Sequence, residues 1–146
     1  MDAFLDLSVT LTGFNHFQLL GTGNAAVLRA ELDQIVPADL VARLLGSTDP
    51  EATLADPDLG PPARDLVLMW YSGTWAQLPD DWRERHGAHP RDTRHVVSAE
   101  AYRGGLQWIV AGAHPAGAHQ QGFGAWAMPP GALAPGTSPL AGRSVA

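Results

Sequence analysis

The chain has 146 residues, a formal net charge of −6, 16 glycines, 12 prolines and no cysteine. That length suits one domain, since a chain of about 150 residues buries roughly 70% of its unfolded surface. The acidic balance excludes a nucleic-acid binder, because phosphate binding needs clustered cations, and the missing cysteine excludes disulfides, thiolate zinc sites and thiol nucleophiles.

In chain order, residues 3–12 place Phe4, Leu5 or Leu7, and Leu11 on one helical stripe ending at Gly13, a natural left-handed stop. Asp2 or Asp6 suits the positive end of that helix. Residues 14–23 read as a loop. Asn24 is placed to cap a second helix, in which Val27, Leu28, Glu31, Leu32 and Ile35 keep three-to-four spacing. Pro37 stops it and opens a short third helix, with Val36, Leu40, Leu44 and Leu45 apolar and Gly46 terminating. Residues 47–60 read as a surface connection.

Pro61 and Pro62 fit the first turn of a buried helix from about 62 to 73, with Gly73 at its end. A strand is the rival reading for its short apolar run, Leu66 to Tyr71. Residues 77–94 read as a long polar loop of the kind that serves function or partner contact. Ser98 caps a last helix with Tyr102, Leu106, Ile109 and Val110 inward, weakened at Gly104 and Gly105 by about 1 kcal/mol per glycine. Beyond Gly112 the chain turns Gly-, Ala- and Pro-rich, with aromatic islands at Phe123 and Trp126. The expected fold is mainly α: one domain over residues 1–130 with about four to five helices and long irregular loops, then an extended Gly/Pro-rich tail over 131–146.

Few motifs carry chemistry. Gly21-Thr22-Gly23-Asn24-Ala25-Ala26 matches the loosest dinucleotide turn, G-x-G-x-x-A, but the preceding Phe14 to Gln18 is too polar for a central parallel strand. The histidines His86, His89 and His95, then His114 and His119, would allow a metal reading, though their spacing matches no named signature. Ser72 lacks the G-x-S-x-G elbow, and the pairs Asp80-Asp81 and Asp56/Asp58 sit in polar loops as solvated acids. Trp70 and Trp108 fit core helices, whereas Trp75, Trp82 and Trp126 sit in or beside loops, either folded onto the core or serving as interface anchors. No catalytic, cofactor-binding or metal-binding residue is therefore assigned to this chain. Charged residues make up only 16%, against about 25% in an ordinary soluble chain, and an uncharged loop-rich surface suits contact with another protein. No apolar run approaches the roughly 18 residues that span a bilayer, and the acidic N-terminus is unlike a secretory leader.

Four stretches, taken in order, resemble one family: the small, non-catalytic (gamma-type) subunits of bacterial FAD-dependent sugar and polyol dehydrogenase complexes of the gluconate, sorbitol, fructose and glucose types. Phe4 to Gly13 is similar to an opening F-x-x-L-S-x-x-L-T-G, and Trp70-Tyr71-Ser72-Gly73 resembles a W-Y-x-G that closes a middle helix. Val96-Val97-Ser98-Ala99-Glu100-Ala101 is similar to V-x-[ST]-Y-E-x-A, with Ala99 in place of the tyrosine. Gly124 to Pro130 looks like a terminal G-x-W-A-x-K-P.

The resemblance implies a helical subunit that binds a large flavoprotein of the glucose-methanol-choline type and supports its folding. FAD and the dehydrogenation belong to that large subunit, and some complexes add a cytochrome c subunit. Two departures bear on this. No twin-arginine leader opens the sequence, so a cytoplasmic site is expected, or a periplasmic one if a leader was removed or lies on the partner. The cysteine that some members place before the final tryptophan is missing, with His119 near its position, so contact with the partner is expected to be non-covalent. Trp75, Trp82, His119, Phe123 and Trp126 are the candidate interface residues, and burying Phe123 and Trp126 would supply about 2 kcal/mol or more each. The alternatives are a small metal enzyme using His86, His89 and His95, or a helical binding module with no flavoprotein partner.

Overall fold

In the computed structural model, residues 2–112 are described. Helix α1 (Asp2–Thr12) buries Phe4, Leu5, Leu7 and Ser8, and it stops where Gly13 takes φ 79°, a conformation free of Cβ strain only for glycine. α3 (Ala25–Ile35) and α4 (Ala38–Leu45) follow the expected stripes, burying Leu28, Glu31, Leu32 and Ile35, then Leu40, Val41 and Leu44. α6 (Gly60–Ser72) is the longest of the described helices and the centre of the core, with Ala63, Leu66, Met69 and Trp70 buried. The helical reading of that apolar run therefore prevails over the strand. The mainly α expectation holds, and among the described residues no helix is long and apolar enough to cross a membrane.

The long irregular loops, however, contain further helices. α2 (His16–Gly21) lies where 14–23 read as a loop. Its capping box forms it: Asn15 Oδ1 accepts from the Gln18 N–H at 2.9 Å while Gln18 Oε1 accepts from the Asn15 N–H at 3.0 Å. α5 (Pro50–Ala55) starts likewise, with Asp49 Oδ1 accepting from Glu51 and Ala52 and Pro50 in the first turn. α7 (Asp80–His86) interrupts the expected 77–94 loop, and Asp80 and Asp81 occupy its positive end while Arg83, Arg85 and His86 occupy the negative one.

Gly73 ends α6 at φ 67°, and the two-residue strand β1 (Thr74–Trp75) then pairs antiparallel with β2 (His95–Val96), Thr74 opposite Val96 and Trp75 opposite His95. The expected single helix after Ser98 is two: α8 (Ala99–Arg103), capped by Ser98 Oγ accepting from Ala101 N–H at 3.0 Å, and α9 (Leu106–Ala111). The break has a packing cause. A Cβ on Gly105 would stand 2.4 Å from the Tyr71 carbonyl oxygen, so only glycine lets this turn lie against α6.

Two more expectations need correction. Asn24 occupies the cap position of α3, but its buried side chain makes no cap bond and instead reaches the Ala101 carbonyl at 3.5 Å. Tyr102 and Val110, expected inward, are exposed.

Candidate functional site

The stretches at 4–13, 70–73 and 96–101 meet in space. The rings of Phe4 and Trp70 stack at 6.1 Å, and the Trp70 indole N–H donates to Ser8 Oγ at 2.9 Å, which itself donates to the Phe4 carbonyl at 2.7 Å. The Tyr71 hydroxyl reaches the Thr12 carbonyl at 3.4 Å. Gly73 accepts from the Val97 N–H at 2.7 Å, and a Cβ on it would sit 2.5 Å from the Ala101 backbone. The stretch at 124–130 lies outside the described residues.

Around this scaffold four acidic side chains are held by contacts within the chain. Glu31, on the apolar face of α3, is buried, and its Oε1 accepts from Arg91 Nε at 2.7 Å while His95 Nε2 lies 2.6 Å away. That contact raises the Arg91 pKa. Asp58 meets His86 Nε2 at 2.8 Å and pairs with Arg85 and Arg43; the His86 hydrogen bond, then that from Arg85, holds its carboxyl below the ordinary range. Buried Asp92 accepts from the Trp75 indole at 2.8 Å and from the Leu78 N–H at 3.0 Å, and Arg83 Nε lies 3.1 Å from its Oδ2. Asp65 accepts from the Ala76 N–H at 3.3 Å, and burial pushes its pKa up to about 7.

The chain has no match among family models, curated proteins or solved structures.

The candidate interface residues divide. Trp75 and Trp82, for which the sequence leaves open a place folded onto the core or a role as interface anchors, are both buried in the core. Each indole N–H is already bound internally, Trp75 to Asp92 and Trp82 to the Asp58 carbonyl at 2.9 Å, so neither side chain is open to a partner. His119, Phe123 and Trp126 lie outside the described residues, as does His114. Trp108, expected in the core, is half-buried, edge-on to Tyr102 at 5.6 Å with its N–H on the Tyr102 carbonyl.

The three histidines of the metal reading do not converge. His86 faces Asp58, His95 faces Glu31, and His89 Nδ1 accepts from the Arg91 N–H at 3.1 Å. Among the described residues no group of three or more His, Asp or Glu is arranged to hold a metal ion. The G-x-G-x-x-A turn joins α2 to α3 rather than following a strand, and Ser72 Oγ donates to the Leu68 carbonyl within its own helix. Asp80 and Asp81 are exposed first-turn acids.

Exposed apolar side chains are the remaining feature. Phe17 and Leu20 project from α2, Val96 from β2, and Tyr102 and Val110 from α8 and α9, with exposures from 40% to 65%. The end of α2 and the α8–α9 turn adjoin, since a Cβ on Gly104 would lie 3.1 Å from the Thr22 carbonyl oxygen.

Proposed function

We propose that this chain is a non-catalytic small subunit that binds a large FAD-dependent oxidoreductase subunit of the glucose-methanol-choline type and stabilises it during folding. The supporting observation is that three resemblance-bearing stretches interlock as scaffold: Phe4 and Ser8 on Trp70, Tyr71 on Thr12, and Gly73 against Val97 and Ala101. A pattern whose defining residues hold helices together belongs to a protein that presents a shape. Catalysis would instead place acids, bases or nucleophiles at an accessible centre. In this reading the sugar or polyol, the flavin and the passage of electrons to a cytochrome c all lie with the partners. The exposed apolar side chains of α2, β2, α8 and α9 supply contact area.

The test is co-expression with a large FAD-dependent oxidoreductase subunit of the glucose-methanol-choline type from the same genome. Co-purification carrying bound flavin, together with loss of soluble large subunit when this chain is omitted, is the expected result. A soluble, fully active large subunit made alone, with no retention of this chain, overturns the proposal.

A further inference from the structure

Two buried carboxylates from different elements flank one short strap of chain. Asp65 on α6 and Asp92 in the segment before β2 are 6% and 1% exposed. Between them runs the strap from Trp75 to Leu78, both of whose end side chains are buried. Asp65 accepts from the backbone of Ala76, while Asp92 Oδ1 takes the Trp75 indole and the backbone of Leu78. Arg83 on α7 supplies the facing cation, its Nε 3.1 Å from Asp92 Oδ2 and its Nη1 3.8 Å from exposed Asp80. Among the described residues Asp65 makes no ion pair.

Two carboxylates and one guanidinium leave one uncompensated negative charge in apolar surroundings, unless a proton is bound. We propose that Asp65 carries that proton and that its release to solvent unlatches the Trp75–Leu78 strap. With Asp65 neutral, the strap closes over it. With both acids ionised, the charges repel across the strap and Asp65 draws water. α6 is fixed on several sides by the core, and Trp75 and Leu78 anchor the two ends of the strap there, so its middle is the part that yields. The backbone of the strap is held by the pairing of Trp75 with His95 and by the bonds to the acids themselves.

Burial lifts the Asp65 carboxyl to about 7; the Ala76 N–H opposes this and the charge of Asp92 adds to it. The latch is thus set to move near neutral pH, closed on the acid side and loosened on the alkaline side.

The experiment is amide exchange of the full chain followed from about pH 5 to about pH 9, corrected for intrinsic base catalysis. Protection at Ala76 and Leu78 is expected to fall about tenfold for each pH unit above the Asp65 midpoint, and to stay below that of Leu32 inside α3, which is limited by global stability. Asp65→Asn should remove the step. Asp92→Asn, which keeps an acceptor for Trp75 and Leu78, should move it to lower pH. A wild-type profile without a step, or a step that survives in Asp65→Asn, refutes the latch. Should either variant fail to fold, the side-chain carboxyl of Asp65 in the wild type is titrated directly by carbon NMR. A midpoint below about 5 then refutes the proposal.

Discussion

Replacing Ser8 by alanine tests the junction of α1 and α6 with a single atom. Ser8 is fully buried, and its Oγ is the acceptor for the indole N–H of Trp70, itself 1% exposed. The alanine leaves that N–H dry and unpaired, at a cost of about 1–3 kcal/mol. The Phe4 carbonyl loses only an extra donor, because it keeps its place in the α1 ladder. Alanine is the better helix former by about 0.5 kcal/mol, which offsets part of the loss. The expected net destabilisation is therefore about 1.5 kcal/mol, or a melting temperature lower by about 4–7 °C for a domain of this size. Urea and thermal melts followed by circular dichroism at neutral pH measure it. The decisive comparison is a double-mutant cycle with Trp70→Phe, which removes the donor and loosens the stack on Phe4. On that background Ser8→Ala should be close to neutral, giving a coupling of about 1–2 kcal/mol. An equal cost on both backgrounds, or a cost below about 0.5 kcal/mol on the wild type, refutes the reasoning.

Gly73→Ala forces a Cβ into φ 67° and to 2.5 Å from the Ala101 backbone, so about 3 kcal/mol or more should be lost, read as a lower urea midpoint at unchanged slope. Asp65 rises from 3.8 unfolded to about 7 folded, so it binds its proton more tightly in the folded chain. Its contribution is complete below the unfolded value and is lost as pH rises through the folded one, by up to about 4 kcal/mol. Asp65→Asn should accordingly match the wild type near pH 4 and exceed it near pH 8 in urea melts, and the opposite order counts against the burial of that charge. Asp58 shifts the other way: its ion pairs stabilise above the unfolded pKa and are lost as pH falls through the lowered one, so Asp58→Asn should matter at neutral pH and cease to matter in strong acid. Phe17→Asp combined with Val110→Asp should leave stability within about 0.5 kcal/mol, as exposed substitutions do, while lowering retention of a co-expressed flavoprotein.

Those elements that the sequence predicts well have two or more turns of apolar spacing and a chemical stop. Phe4 with Leu7 before Gly13, and Leu28 with Leu32 and Ile35 before Pro37, are of this kind. α2, α5 and α7 have six or seven residues, too few for a stripe to declare itself. Their signals were local: Asn15 with Gln18, Asp49 with Pro50, and acids before bases across 80–86. Gly104 and Gly105 marked a weakness, but the reason for glycine there is Tyr71, far away in sequence. The same distance hid Trp75 and Trp82, since a place beside a loop says nothing about which carboxylate or carbonyl waits for the indole. Glu31 stands on the apolar stripe already legible in the sequence, and Asp65 could have been found in the same way, since it shares a helix face with Leu66 and Met69. Asp92 gave no such sign: it stands in a polar segment, and only the fold makes it internal.

The polar groups buried in the first third of the chain have distant partners. Ser8 is the acceptor that Trp70 needs, while Asn24 waits for Ala101, and Glu31 for Arg91 and His95. During synthesis the chain emerges from its N-terminus, so α1 and α3 reach water well before those partners do. Until residue 101 has left the ribosome, closing the N-terminal helices over one another would bury the side chains of Asn24 and Glu31 without the distant partners they bind in the fold. Folding is thereby postponed until nearly all of the described chain is free, and any truncation before α8 should give a collapsed chain rather than a smaller domain.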